Sequence, residues 1–370
     1  MSGRALKGGG NLTLTNVLEP SPCTFDLDYV HEIKGRIFEA QKRGQRVILL
    51  FAQSPPWANG DKEPSFPPTK PHYWAYANAL KRLYRILIAP KGQEAIRRDT
   101  ILAVEVWNEP NSVDFWPTHG VRPGAWVLVD VRAAKEYADL LSITYSTLKC
   151  EYPHLVVLGG SLASCDTLYL DALYSRWGKI PPFDALSLHP YTRVDEREGP
   201  HYAKAQYPDQ CNTEDPLSPP WCFKAGIEAI YALMAAKGNG GKSIWITEFG
   251  TGSSDEWGDA GSEQEQAEHL RRALDVLYHW WVHNSAINIP VAIFYRLKDE
   301  PLDGDFFGLV RKDYSLKPAA LLLRSRLDQD GRLMPQQVNY KATSIGRGGY
   351  SKANILRLLL KDLIPIRPTL

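Results

Sequence analysis
Short apolar runs recur along this chain, separated by stretches with helical periodicity, and each run stops at a polar or turn-forming residue. Strand patterns are expected at residues 47–52, 101–107, 155–158, 183–188, 243–247 and 290–297. Helical patterns lie between them at 29–42, 73–88, 133–149, 168–177, 223–236 and 262–283, and another begins near Lys317. Strands that follow one another through helical crossovers pair in parallel and are covered by those helices. This alternation predicts an α/β protein.

Two features favour a closed barrel over an open, doubly wound sheet. No early strand runs into a glycine-rich phosphate loop. Polar residues instead collect at the C-terminal ends of the strands: Gln53, then Asn108 and Glu109, then His189 and Tyr191, then Glu248, and finally Tyr295 to Asp299. In a TIM (β/α)8-type barrel those ends converge on one pocket. The expected count falls one short of eight, because residues 12–16 supply a seventh strand and the residues before them cannot supply another strand and helix. The expected architecture is therefore a barrel over residues 1–330 that starts at its second strand. Either its opening stays unfilled or another segment occupies it, and the C-terminal tail is a candidate. That tail, 331–370, carries seven basic residues against one acidic residue, Asp362, and its apolar run over 352–363 reads either as a packed terminal helix or as a poorly ordered extension.

Charge excludes some partners. With 43 basic and 42 acidic residues the net charge is +1, so nothing suggests a nucleic-acid surface. No segment reaches the roughly 18 apolar residues that a membrane span requires, and the first residues lack the apolar run of a signal peptide. Asn11 opens a glycosylation sequon that matters only in a secreted chain. The five cysteines show no metal-ligand spacing. Cys150 and Cys165 read as buried thiols, whereas Cys211 and Cys222 flank a proline-rich loop and are either bridged or free.

Glu109 and Glu248 are the strongest candidates for chemistry. Pro110 forces the chain to turn directly after Glu109 and leaves that carboxylate at the rim. Glu248 ends the run Ile244-Trp245-Ile246-Thr247, in which alternation places it with Ile244 and Ile246 unless the strand end twists. Two carboxylates across a pocket are the working parts of glycosidic bond cleavage. At about 5 Å they retain anomeric configuration, and at about 6.5–9.5 Å they invert it. Asn108 is placed to bind a sugar 2-hydroxyl. Tyr191 could donate its hydroxyl to an ionised nucleophile, and His189 could do the same or bind substrate. Trp57 and Trp116 are candidate stacking platforms or packing groups, and Gln53 and Tyr295 complete the candidate lining.

The runs Glu105-Val106-Trp107-Asn108-Glu109-Pro110-Asn111 and Trp245-Ile246-Thr247-Glu248-Phe249-Gly250 resemble the acid/base and nucleophile motifs of retaining (β/α)-barrel glycoside hydrolases. With Leu158-Gly159-Gly160 and Leu188-His189-Pro190-Tyr191 between them, the chain is most similar to glycoside hydrolase family 39 and its relatives over about residues 12–325. The resemblance implies Glu109 as general acid/base and Glu248 as nucleophile, through a covalent glycosyl-enzyme intermediate. Asn108 would bind the 2-hydroxyl, with His189 and Tyr191 around the nucleophile. It also implies an oligosaccharide or polysaccharide substrate with β-linkages, no metal, no organic cofactor, and export from the cell. The departures from the family are equally specific. Residues 12–16 lack the arginine common on the second strand, which leaves Glu105 without that cation, and Phe294-Tyr295-Arg296 stands where tryptophan is common. An incomplete barrel with this pocket has a second reading, a carbohydrate-binding pseudoenzyme.

Overall fold
The computed structural model describes residues 18–89, 95–122, 127–192, 205–210, 221–254, 260–283, 286–300, 304–328 and 332–334, and the backbone of 357–360. The strand expected at 12–16, the sequon at Asn11, Cys211 and most of the loop between residues 192 and 221 lie outside the described residues.

Seven strands form one sheet in sequence order: β1 (Val47–Phe51), β2 (Ile101–Val106), β3 (Val157–Ala163), β4 (Ala185–His189), β5 (Ile244–Phe249), β6 (Val291–Phe294) and β7 (Arg357–Leu360). Every adjacent pair is parallel. Helices connect them as the periodicity requires: α1 (Leu27–Lys42), the single turn α2 (Pro56–Asn59), α3 (Tyr73–Leu87), α4 (Ala133–Glu151), α5 (Thr167–Trp177), α6 (Phe223–Ala236), α7 (Glu263–Val282) and α8 (Pro318–Arg326). Side chains that accept from backbone N–H groups start three of them, Asp26 for α1, Asp166 for α5 and Ser262 for α7.

Strand alternation divides the core into two layers. On one face Ala103, Leu158, Ala185, Trp245, Val291 and Ile293 pack together. On the other, Val104, Val157, Leu186, Ile244 and Ala292 join the larger cluster formed with the helices. Apolar residues on both faces, one covered by helices and one enclosed by the curl of the sheet itself, are what a barrel wall requires.

The C-terminal tail corrects an expectation. Residues 357–360 form a strand, not part of a helix, and pair from Val291↔Arg357 to Phe294↔Leu360. Leucine-rich runs of this length satisfy either periodicity. The unpaired edge of β6 decides the outcome, because it offers a ladder of backbone partners that an isolated helix lacks. No pairing joins β7 to β1 among the described residues.

Cysteine usage also differs in part. Cys165 is buried, and burial pushes its thiol up. Cys150 is exposed, because the last turn of α4 turns it to solvent. Cys222 is disulfide-bonded. No helix among the described residues is long and apolar enough to cross a membrane.

Candidate active site
The ends of β2, β3, β4 and β5 build one polar cluster, and irregular backbone aims it. Trp107 (φ 69°) and Glu109 (φ 44°) lie in the left-handed region on either side of Asn108, and Gln53 (φ 66°) and Ser161 (φ 47°) do so on β1's exit and on β3. Each such non-glycine residue costs on the order of 1–3 kcal/mol and persists only where its surroundings enforce it. Here they do. Trp107 N–H donates to the Phe51 carbonyl and Glu109 N–H to the Ser161 carbonyl, both at 2.9 Å. The buried Asn111 amide then clamps the end of β3: it donates to the Ala163 carbonyl at 3.0 Å and accepts from the Ala163 N–H at 2.8 Å. Tyr169 donates to the Pro110 carbonyl at 2.9 Å, so the whole Asn-Glu-Pro-Asn turn is pinned from two sides.

Glu248 is aimed by a register shift. Between Ile246 and Phe249 the β5–β6 pairing gains a residue on β5, which breaks the alternation that would have sent Glu248 to the helix side with Ile244 and Ile246. A second shift between Gly160 and Leu162 displaces Ser161 on β3. There Ser161 N–H donates to Ser187 Oγ at 2.8 Å.

The assembled groups converge on His189. Glu109 Oε1 and His189 Nδ1 are 2.9 Å apart, and the same nitrogen is 3.8 Å from Glu248 Oε2. One carboxylate oxygen from each glutamate and a ring nitrogen of His189 all lie within 4.8 Å of one another. A cation could span that spacing, but His189 Nδ1 is already engaged with Glu109. Tyr191 donates its hydroxyl to Glu248 Oε2 at 3.0 Å. Burial, followed by the nearby Tyr295, Glu109 and Asp305, pushes the Tyr191 phenol well above its ordinary value, so it remains a donor. The side chains of Glu109 and Glu248 are 16% and 11% exposed, open enough for a ligand to reach and closed enough to strengthen their interactions.

The other candidates separate. Asn108 stays with the cluster by its place between Trp107 and Glu109, and Gln53 lies in the segment that leaves β1. Tyr295 stacks edge-on against Phe307, as Tyr191 does, with centroids at 5.8 and 6.1 Å. Trp116 is fully buried, donates to Glu136 Oε2 at 2.9 Å and packs on Trp107 and Tyr137, which leaves no face for a sugar. Trp57 donates to the Glu19 carbonyl at 3.0 Å and meets His72 edge-on, so it packs beneath the chain that follows β1.

Sequence reasoning missed Ser161, Thr247, Asp305 and Phe307. Thr247 Oγ1 lies 3.1 Å from His189 Nε2 and donates to Glu105 Oε1 at 2.7 Å. Asp305 pairs with Arg296 at 2.6 Å and accepts from Phe307 N–H at 3.1 Å, which holds the aromatic wall beside Tyr191. For Thr247 the signal was present, since alternation opposite Ile246 already pointed it inward. For Asp305 and Phe307 there was none.

Fold and site together define an α/β protein with a curled parallel sheet and two glutamates paired at strand ends. Comparison with known proteins finds the same kind of fold. The chain is 29% identical over 151 residues to a β-xylosidase of Geobacillus stearothermophilus, a match that covers 40% of this chain and 26% of that protein. Its fold is similar to the family 39 glycoside hydrolase of Xanthomonas axonopodis pv. citri (TM-score 0.55, 18% identity, 82% of this chain and 56% of that one). It is also similar to the β-glycosidase BGL167 (TM-score 0.56, 16% identity, 89% and 82%). No family model matches the chain. The chain thus spans about a quarter of the β-xylosidase and about half of the Xanthomonas enzyme.

Proposed function
We propose that this chain is a retaining glycoside hydrolase acting on β-linked saccharides, with Glu109 as general acid/base and Glu248 as nucleophile. The observation that carries this reading is the approach of one oxygen of Glu109 and one of Glu248 to within 4.8 Å, with His189 Nδ1 at 2.9 Å from the first carboxylate and 3.8 Å from the second. So close an approach suits direct attack by a carboxylate on the anomeric carbon, for which the carboxyl groups stand about 5 Å apart, better than a pair held open for an intervening water. Glu109 donates its proton to the glycosidic oxygen as Glu248 Oε bonds to the anomeric carbon and the aglycone departs. Water then gives a proton to Glu109, attacks the same carbon and releases Glu248. Tyr191 steadies the ionised nucleophile, and Asn108 lies beside the acid where a 2-hydroxyl would sit. The similarity to a β-xylosidase makes xylosides the first substrates to try.

In the same reading the sheet is the wall of a (β/α)8-type barrel. Because β7 lies parallel on β6, it takes the place that the first strand occupies when such a barrel closes. Support for this arrangement comes from the sequential strand order and the apolar inner face.

Incubation with a 2-deoxy-2-fluoro-β-xyloside bearing a good leaving group, followed by peptide mass spectrometry, is expected to label Glu248. Glu109→Ala and Glu248→Ala are each expected to lower aryl β-xyloside turnover by about 10³-fold or more. Unchanged turnover in both variants would sink the assignment.

A further inference from the structure
A cleft of about 490 Å³ opens on the helix side of the sheet, between the chain that leaves β1 and the first turns of α4. Sites that hold small organic ligands run from about 300 to 1,000 Å³. Phe66, Pro67 and Pro68 give the cleft an apolar strip. Tyr73, the first residue of α3, is 3% exposed and lines the same cleft, and its hydroxyl makes no hydrogen bond among the described residues. Buried donors are normally paired, so this one is fitted for an acceptor brought into the cleft. Burial, with the neighbouring Glu136 and Asp139, holds the phenol above its ordinary value, which keeps it a donor. Both carboxylates belong to the lining and are fixed by other groups. Glu136 Oε2 accepts from Trp116 Nε1 and Thr118 Oγ1, each at 2.9 Å, and Oε1 lies 3.0 Å from His119 Nε2. Asp139 pairs with Arg176 at 2.7 Å and faces Lys70 at 3.8 Å.

Charge decides which ligand suits this lining. Lys62, Lys70, Lys135 and Arg176 against Glu136 and Asp139 leave the cleft at +2, in a chain whose whole net charge is +1. The excess sits on Lys62 and Lys135, which enter no ion pair among the described residues. Lys62 is held in place: Asn59 donates to its carbonyl at 3.1 Å and accepts from its N–H at 2.9 Å, and its ammonium stands 4.8 Å from the Phe66 ring centroid. An inorganic anion would use only the cations. A saccharide also uses the apolar strip for its ring faces, the tyrosine as donor and a carboxylate as acceptor for its hydroxyls. We infer that this cleft binds a saccharide carrying a carboxylate, with Lys62 and Lys135 on its charge, Tyr73 donating to a sugar oxygen and Glu136 accepting from a sugar hydroxyl. The binding is separate from the roles of Glu109 and Glu248; that the saccharide has a β-xylose backbone rests on the glycosidase reading. The cleft is built from the segments that follow β1 and β2, so it opens toward the end of the sheet that carries Glu109. Glu136 connects the two places through Trp116, whose ring packs on Trp107 at 5.4 Å.

Titration calorimetry on the full chain carrying Glu248→Ala, which prevents cleavage, compares two probes at low salt. One is a β-xylo-oligosaccharide with a single glucuronate branch, and the other is the unbranched oligosaccharide of the same length. The branched probe is expected to bind about 10-fold tighter or more, and to lose that advantage as salt is raised. Lys62→Ala combined with Lys135→Ala, both at exposed positions, is expected to bring the two probes to within about twofold of each other. Tyr73→Phe keeps the ring and is expected to weaken the branched probe by about 2- to 10-fold. In a chain with Glu248 intact, the same substitutions should leave kcat/KM for an aryl β-xyloside within about twofold. Equal affinity for the two probes, or an undiminished preference in the double-lysine variant, would overturn the inference. Inorganic phosphate that binds as tightly as the branched probe, with Tyr73→Phe unchanged, would show a bare anion site and overturn it too. A wild type that cleaves no glycoside, beside a Glu248→Ala chain that keeps the charge-dependent binding, would sink the glycosidase reading and leave the cleft assignment standing. Turnover of aryl β-xylosides without that binding would do the reverse.

Discussion

Tyr191 donates to Glu248 Oε2 at 3.0 Å, and its raised phenol keeps the hydrogen in place across the working pH range. Hydrogen bonds to charged groups contribute about 1.5–3 kcal/mol, so Tyr191→Phe is expected to lower kcat about 10- to 100-fold with little change in folding stability. Steady-state rates and thermal melts on the same preparation check this; an unaltered kcat would remove Tyr191 from the site. His269 makes a different prediction at the same scale. It is 5% exposed beneath the Tyr207 ring, and burial lowers its pKa to about 4. The unfolded chain binds a proton near pH 6.5 that the folded chain refuses until about pH 4. Stability linked to this group is therefore complete above pH 6.5 and is lost as pH falls toward 4, by up to about 3 kcal/mol. His269→Gln is expected to flatten that part of the pH dependence of the unfolding free energy. An identical slope in both proteins between pH 6.5 and 4 would contradict it.

Single elements carry the aiming of the site. Gly160 (φ 100°) precedes the register shift on β3, and a Cβ there would lie 2.6 Å from Leu186 Cδ1 and 3.0 Å from the Ser187 carbonyl. Gly160→Ala is expected to destabilise the fold by about 2–4 kcal/mol, from left-handed strain and the displaced strand β4. Chemical denaturation measures it; a loss below about 0.5 kcal/mol would show that β3 can relax. The Gly159-Gly160 pair was visible in the sequence, but the shift itself was not, because it depends on which residue of β4 stands opposite. The same holds for β5. Alternation alone assigned Glu248 to the side of Ile246, and the extra residue against β6 turned it toward His189. Helices were legible nearly to the residue where caps announced them, as Ser262 does for α7.

At the scale of the whole molecule, the strand order follows the chain without a single crossover out of sequence. β7 is the exception in distance, brought from the tail to cover the edge of β6. Deleting residues 351–370 is expected to lower the thermal midpoint by about 5 °C or more, since about four ladder bonds at about 1 kcal/mol each are lost. It should also promote association through the bared edge. A truncated chain that melts as the full chain does and keeps the full chain's association state by light scattering would show that β7 adds nothing to the sheet.

The sequence by itself determined the alternation of strands and helices, the parallel pairing that follows from it, and the placement of Glu109 and Glu248 at strand ends. These properties follow from local periodicity and from what proline does to a strand. Only the tertiary structure decided that both carboxylates reach His189, that Trp116 packs instead of facing a pocket, and that the tail pairs as a strand. It also decided that Glu105 finds Thr247 where the sequence promised it no cation. Each of those outcomes depends on a partner distant in the chain, and local residue preferences do not specify which distant groups will meet.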